Sequence, residues 1–262
     1  MGILNVTPDS FSDGGQFDET QPAVKHALDM MYEGVDIIDI GGESTRPGSE
    51  RVDAEQQILR VSEIIKSIRE IALDEIEISI DTTLSKVAEA AIDAGASFIN
   101  DVSAGTDDPH ILELAADKDV PIILMHMQGN PQTMQVKPVY DDVVEDIRAY
   151  LLDRVETAMT AGVKQENIAI DPGIGFGKTQ EHNMQLMNRL DRFVDTGLPV
   201  LLGASRKRFM SAICEGVEPH DLVGATCATT VIGVNAGVKM FRVHDVRPNR
   251  QAADVSYNLL NQ

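Results

Sequence analysis

The chain has 262 residues, 43% hydrophobic and 24% charged, the balance of a soluble globular protein, and its length suits one large α/β barrel or two ordinary domains. A formal charge of −20 argues against a nucleic-acid partner, whose binding needs a basic face, and no apolar run is long enough to span a bilayer. Cys214 and Cys227 form no Cys-x-x-Cys pair, which leaves no support for a disulfide framework or thiolate zinc site. No basic-then-apolar leader opens the sequence, so the cytoplasm is the expected location.

Short apolar, β-branched runs alternate with longer helical patterns along the whole chain. The runs are residues 3–6, 35–40, 76–80, 97–102, 120–125, 167–170, 199–202 and 238–243. Near-continuous apolar strands flanked by helices indicate a parallel sheet buried on both faces. Between the second and third runs, residues 51–72 place Ile58, Val61, Ile65 and Ile68 on one helical face. Between the fifth and sixth, Asp141 and Asp142 start a helix with Val144, Ile147, Leu151, Val155 and Met159 recurring on one side, and Gly162 ends it. Residues 246–260 supply a last helix. Eight strands, each followed by helix, predict a single-domain (β/α)8 TIM barrel over 1–262. A doubly wound open sheet is the alternative, but no Gly-x-Gly-x-x-Gly follows the first strand. The first strand begins at the very start of the sequence, so the expectation is that either the chain is trimmed or the barrel bottom is closed differently.

A barrel of this kind carries its chemistry at the C-terminal ends of the strands and in the loops after them. Those positions fall into two chemical sets. Asp81, Asn100 and Asp171 end strands three, four and six. Buried carboxylates and amides need partners, and a heterocycle with adjacent N–H groups would satisfy them better than a metal cage, for which the set is thin. Arg46, Lys207, Arg208, Arg242 and His244 form a basic set against the acidic background, as an anionic substrate requires. Ser205–Arg208 also opens a predicted helix whose first amides favour an anion, although Arg206 and Arg208 also fit a solvated surface. Loops rich in Gly, Ser, Pro and Asp follow strands one and two and can bend and close. In the first, Phe11 either covers a substrate ring or belongs to a small apolar cluster.

The loops carry a family resemblance. The segment Gly2-Ile3-Leu4-Asn5-Val6-Thr7-Pro8-Asp9-Ser10-Phe11-Ser12-Asp13-Gly14-Gly15 resembles the first signature of the dihydropteroate synthases, and Asp39-Ile40-Gly41-Gly42-Glu43-Ser44-Thr45-Arg46-Pro47-Gly48 resembles their second. Further matches run in the expected order: Ser79-Ile80-Asp81-Thr82, Asn100-Asp101-Val102-Ser103, the stretch from Asp171 to Thr179, Ser205-Arg206-Lys207, and Phe241-Arg242-Val243-His244-Asp245. The resemblance implies condensation of p-aminobenzoate with 6-hydroxymethyl-7,8-dihydropterin diphosphate, giving 7,8-dihydropteroate and diphosphate in folate biosynthesis. It also implies a homodimer and a site open to sulfonamides.

By the same resemblance, Asn5 holds Mg²⁺ on the diphosphate. Asp81, Asn100, Asp171 and Lys207 take the pterin, with Val102, Met125 and Phe176 lining the ring and Gly203 beside it. Arg242 and His244 resemble diphosphate contacts. Thr45, Arg46 and Pro47, with Phe11 and Asp13, enclose the aminobenzoate. Asp81, Lys207, Arg242 and His244 are the expected catalytic group. One departure is Arg208, where some members carry a small hydroxyl residue near the aminobenzoate carboxylate, so that contact is either ionic or made by backbone.

The implied chemistry is a Mg²⁺-assisted dissociative substitution, with the loops excluding water from a methylene cation. A methyltetrahydrofolate-binding methyltransferase and a non-catalytic pterin-binding paralogue are the rival readings.

Overall fold

The computed structural model describes residues 1–6, 16–44, 48–49, 51–73 and 75–261, the side chains of 16–19 excepted. Its strands are β1 (Gly2–Asn5), β2 (Ile37–Gly41), β3 (Glu77–Asp81), β4 (Phe98–Asp101), β5 (Ile122–Met125), β6 (Ile168–Asp171), β7 (Leu201–Leu202) and β8 (Met240–Phe241). Strands β1 to β6 pair in parallel and in chain order, and β7 pairs with β8. Two bridges join these sheets into a ring, Ile170 to Val200 and Gly2 to Val243. The seam between first and last strands is hydrogen-bonded from both sides. Ile3 N–H donates to the Val243 carbonyl at 3.0 Å, and Val243 N–H donates to the Met1 carbonyl at 3.0 Å. The expected eight-stranded barrel therefore closes.

The helices in chain order are α1 (Gln16–Tyr32), α2 (Ala54–Ala72), α3 (Ser85–Asp93), α4 (His110–Asp117), α5 (Val143–Thr160), α6 (Gln180–Asn188), α7 (Asp191–Val194), α8 (Arg208–Ile213), α9 (Val223–Ala236) and α10 (Val246–Leu260). Helix α2 starts three residues later than the apolar pattern suggests, because Asp53 caps it by accepting the Gln56 N–H at 2.9 Å. Asp142 caps α5, accepting from Val144 and Glu145, and Gly162 beyond its end sits at φ +103. Met159, expected on the buried stripe of α5, is 46% exposed, and Ala158 takes the inward place. The cause is helical drift. From Ile147, three successive four-residue steps turn about 120° beyond whole revolutions, far enough to leave the core face.

Alternation along the strands divides the interior into two layers. Outward-facing Leu4, Ile38, Ile40, Ile78, Ile80, Ile99, Ile122, Leu124, Ile168 and Ile170 are buried and pack with the helices in one continuous core. Inward-facing Ile123, Ala169 and Leu201 form a separate small cluster with Met1 and Met240. Above that plug the inward positions turn polar: Asp39, Ser79, Asp81, Asn100 and Asp171 are all buried. Burying so many polar groups on one side of a barrel is costly unless they meet partners or a ligand there.

Candidate active site

At the C-terminal mouth of the barrel lies a pocket of about 750 Å³. Twelve of the residues singled out from the sequence line it: Asn5, Asp81, Asn100, Val102, Met125, Asp171, Phe176, Gly203, Lys207, Arg208, Arg242 and His244. Each arrives at the end of its strand or in the loop just after it, since β1, β3, β5 and β6 stop at Asn5, Asp81, Met125 and Asp171. Phe11, Asp13, Thr45, Arg46 and Pro47 lie outside the described residues.

The acidic and basic sets are not separate in space. Arg242, from just beyond β8, donates through Nε to Asp39 Oδ2 at 2.6 Å and through Nη2 to Asp81 Oδ2 at 2.7 Å. Asn100 Nδ2 donates to the same Asp39 oxygen at 3.2 Å. Burial works against the Arg242 charge, but Asp39 and Asp81 more than offset it and hold the guanidinium above its usual range. Burial raises Asp81 to about 7 against the opposing pull of Arg242. Its Oδ1 is buried without a protein partner among the described residues.

Asp171 stands across the pocket. Its Oδ1 accepts the Gly173 N–H at 2.7 Å, and burial raises its carboxyl to about 6. Its Oδ2 faces Gly203, where an added Cβ would lie 3.5 Å from it. Lys207 reaches into the pocket from the N-cap of α8, with Nζ 3.9 Å from the centre of the Phe176 ring. Burial and then Arg242 lower its ammonium to about 8. Lys207 thus caps one face of the Phe176 ring and sets a cation in the pocket, suited to an aromatic, electron-rich ring. His244 pairs Nδ1 with Ser205 Oγ at 3.0 Å; burial, then Arg206 and Arg242, lower it to about 3 and leave it neutral.

Two residues were given no role in the sequence reading, and a third, Arg206, was left open. Asp39 had a signal, being a charged residue inside an apolar run, which a parallel strand rarely tolerates without purpose. Lys178 is 3% exposed, and its Nζ donates to the Phe176 carbonyl at 2.8 Å and the His126 carbonyl at 3.3 Å. It also lies 3.0 Å from His126 Nδ1. Burial, then Lys178, lowers His126 to about 3, and burial likewise drives Lys178 well below the usual ammonium range. Lys178 thereby ties the loop carrying Phe176 to the end of β5. Arg206 is partly exposed, and its fork pairs with Asp245 at 3.0 and 2.7 Å.

A family model described as pterin binding enzyme matches residues 1–244. A dihydropteroate synthase of Clostridium beijerinckii is 48% identical over 257 residues, covering 98% of this chain and 92% of its own. The chain belongs to the dihydropteroate synthase family. It is an enzyme, a transferase, in line with the reading of its two loop signatures. Among solved structures, Xanthomonas albilineans dihydropteroate synthase with 4-aminobenzoic acid matches at TM-score 0.93 and 40% identity, covering 100% of this chain and 93% of its own. The same enzyme in complex with 7,8-dihydropteroate matches at TM-score 0.88 and 38% identity, with the same coverage.

Proposed function

We propose that this pocket joins p-aminobenzoate to the methylene carbon of 6-hydroxymethyl-7,8-dihydropterin diphosphate, giving 7,8-dihydropteroate and diphosphate for folate biosynthesis. The observation that carries the reading is the pocket floor. Asp81, Asn100 and Asp171 are buried at three strand ends, and one Asp81 oxygen has no protein partner among the described residues. A flat ring with several N–H donors meets that need, and the Lys207 cation, held over Phe176, suits its π surface. The relatives' names and the 4-aminobenzoic acid and 7,8-dihydropteroate complexes support the same assignment.

In this reading the reaction breaks the C–O bond to diphosphate and forms a C–N bond to the aryl amine, whose proton passes to solvent or to the departing diphosphate. The amine attacks as a neutral base, so no nucleophilic side chain is needed. Asp81 and Asp171, ionised once their partners arrive, stabilise positive charge as it develops on the methylene carbon. Lys207, Arg242 and the N–H face of His244 supply donors for the diphosphate end. Water must be excluded while that carbon is electron-poor, a role for the two loops after β1 and β2.

Asn5 is the residue that would hold Mg²⁺. Its side chain stands at the pocket wall beside Gly41, where an added Cβ would lie 3.7 Å from the amide oxygen, so the glycine leaves that oxygen clear. One hard oxygen suits an ion that arrives on a diphosphate and takes most of its ligands from phosphate and water. Bound there, Mg²⁺ would neutralise leaving-group charge. By analogy with its family the enzyme works as a homodimer in the cytoplasm, which sedimentation of the purified protein and cell fractionation test.

The deciding experiment is turnover of the two substrates with product identification and diphosphate release, with and without a Mg²⁺ chelator. Dihydropteroate formation that stops on chelation is expected. A protein that binds pterin yet forms no dihydropteroate with Mg²⁺ present overturns the reading.

A further inference from the structure

Asp39 touches two of the groups assigned to the substrates and does not itself reach the pocket. It is fully buried. One of its oxygens takes both the Arg242 Nε–H, at 2.6 Å, and the Asn100 amide, at 3.2 Å. Its other oxygen has no protein partner among the described residues. Gly41, the next inward position on β2, brings no side chain between Asp39 and the pocket, and pairs in register with Asp81.

The guanidinium is a fork whose donors point in fixed, different directions. Its Nε is spent on Asp39 below the floor, and its Nη2 on Asp81 at the floor, 2.7 Å away. Two carboxylates thus share one cation, and they differ in access: Asp39 is closed to any ligand, whereas Asp81 and Arg242 both line the pocket. A substrate that needs the Asp81 oxygens for ring N–H groups and Arg242 for phosphate must take both from each other. Between release of Asp81 and engagement of the phosphate, that exchange leaves a largely buried guanidinium uncompensated unless a second counterion stays with it.

We propose that Asp39 is that counterion, a positioning residue that keeps Arg242 charged and anchored by Nε while Nη2 is released from Asp81 to the substrate. The inference rests on the proposed reaction. Without the Asp39 charge, Asp81 would be the one carboxylate among the described residues still hydrogen-bonded to Arg242, and the pair would stay closed.

The groups facing Asp81 are Asp39 on β2, Glu43 just after it, Asp101 on β4, Arg242 after β8, and Lys207 after β7. Asp39 and Arg242 act on Asp81 with opposite sign, the first raising and the second lowering its affinity for a proton. Asp39→Asn keeps the shape, removes the charge and can keep an acceptor oxygen toward Arg242 and Asn100, its new NH2 taking the unpartnered position. Its acid limb of pterin affinity should move to lower pH by about one unit, since Asp81 loses a like charge and gains Arg242 to itself. The rate constant kcat should fall about 10- to 100-fold while KM for p-aminobenzoate stays within about twofold, because the second substrate touches neither member of the pair. In an Arg242→Gln background the Asp39→Asn change should add nothing.

A wild-type pH profile and kcat in Asp39→Asn, or an undiminished effect on the Arg242→Gln background, overturns the proposal. If Asp39→Asn does not fold, nitrogen-15 NMR of the wild-type enzyme decides. The Arg242 Nε–H should remain protected from exchange with and without 6-hydroxymethylpterin, while the Nη resonances shift on binding; loss of Nε–H protection on binding is the contrary result. A wild-type enzyme that does not turn over at all refutes the reaction, and is distinguished from failure of the inference because the NMR and affinity readouts need no turnover.

Discussion

At the scale of single residues, the pocket is set by carboxylates held away from their ordinary ionisation. Asp171 offers the simplest test. Its Oδ1 is engaged by the Gly173 amide, leaving Oδ2 toward the pocket. Asp171→Asn exchanges an acceptor for a donor at constant shape, and a ring that presents N–H groups then faces a mismatch. Calorimetry with 6-hydroxymethylpterin should show about 1–3 kcal/mol of lost affinity; undiminished affinity would remove Asp171 from the ring site. Asp81 gives a second test, by stability. Its carboxyl is raised from 3.8 to about 7, so between those values the folded state binds more protons than the unfolded chain. The stabilisation from its protonated form is complete below about pH 4 and is lost as pH rises through about 7. Asp81→Asn has no such dependence, and its Tm relative to wild type should climb steadily from about pH 4 to about pH 7. His126 and His244, both lowered to about 3, contribute the opposite slope, losing stability as pH falls below their unfolded value. They are present in both proteins and cancel in the difference. A constant Tm gap across that range would place the Asp81 proton elsewhere.

At the scale of elements, strand ends were legible because a barrel makes them the rim. Asp81, Asn100 and Asp171 follow apolar runs at the positions where period-two alternation points inward, and the structure brings them together with Lys207, Arg242 and His244 around one pocket. What could not be read was pairing. Arg242 and Asp39 lie 203 residues apart in sequence, and only barrel closure makes β8 a neighbour of β1 and brings the guanidinium over β2. The Lys178 amine was equally hidden, because its partners are two carbonyls and a neutral histidine rather than any acid that a charge pattern would reveal. The strand lengths were read too long at β7 and β8, where just two residues each meet the ladder and the flanking residues connect by isolated bridges. The loop after β6 shows how an element supports the site. Gly173 has φ +69, and a Cβ there would lie 2.0 Å from the His126 carbonyl oxygen, so a side chain must push the loop off the end of β5. Gly173→Ala should therefore lower stability by about 2 kcal/mol or more and weaken pterin binding at the same time, because the same amide holds Asp171. Thermal unfolding and calorimetry on one preparation test both; lost stability with full pterin affinity would show that the loop and the carboxylate are independent.

At the scale of the whole molecule, the barrel explains why an acidic protein can take an anion. The formal charge is −20, yet Lys207 and Arg242 converge on one mouth, with Arg206 and Arg208 at its edge. The two fields act over different distances. A diphosphate approaching from outside feels the whole acidic surface when the Debye length is ~30 Å at 0.01 M salt, and only the nearest charges when it is ~8 Å at 0.15 M. Inside the mouth the basic groups lie in a low-dielectric setting that salt screens far less. Raising ionic strength through that range should therefore remove long-range repulsion while sparing local attraction. The expected outcome is that kcat/KM for the pterin diphosphate rises or holds level between these salt concentrations, against the fall usual where a basic surface steers an anion. Affinity for 6-hydroxymethylpterin, which carries no diphosphate, should stay flat and serves as the control for effects of salt on the fold. Varying salt with an inert monovalent electrolyte at fixed free Mg²⁺ separates this from loss of the ion. A steep decline in kcat/KM with salt, at constant pterin affinity, would mean that the basic mouth already governs approach from a distance. The acidic surface would then have no part in how the substrate arrives.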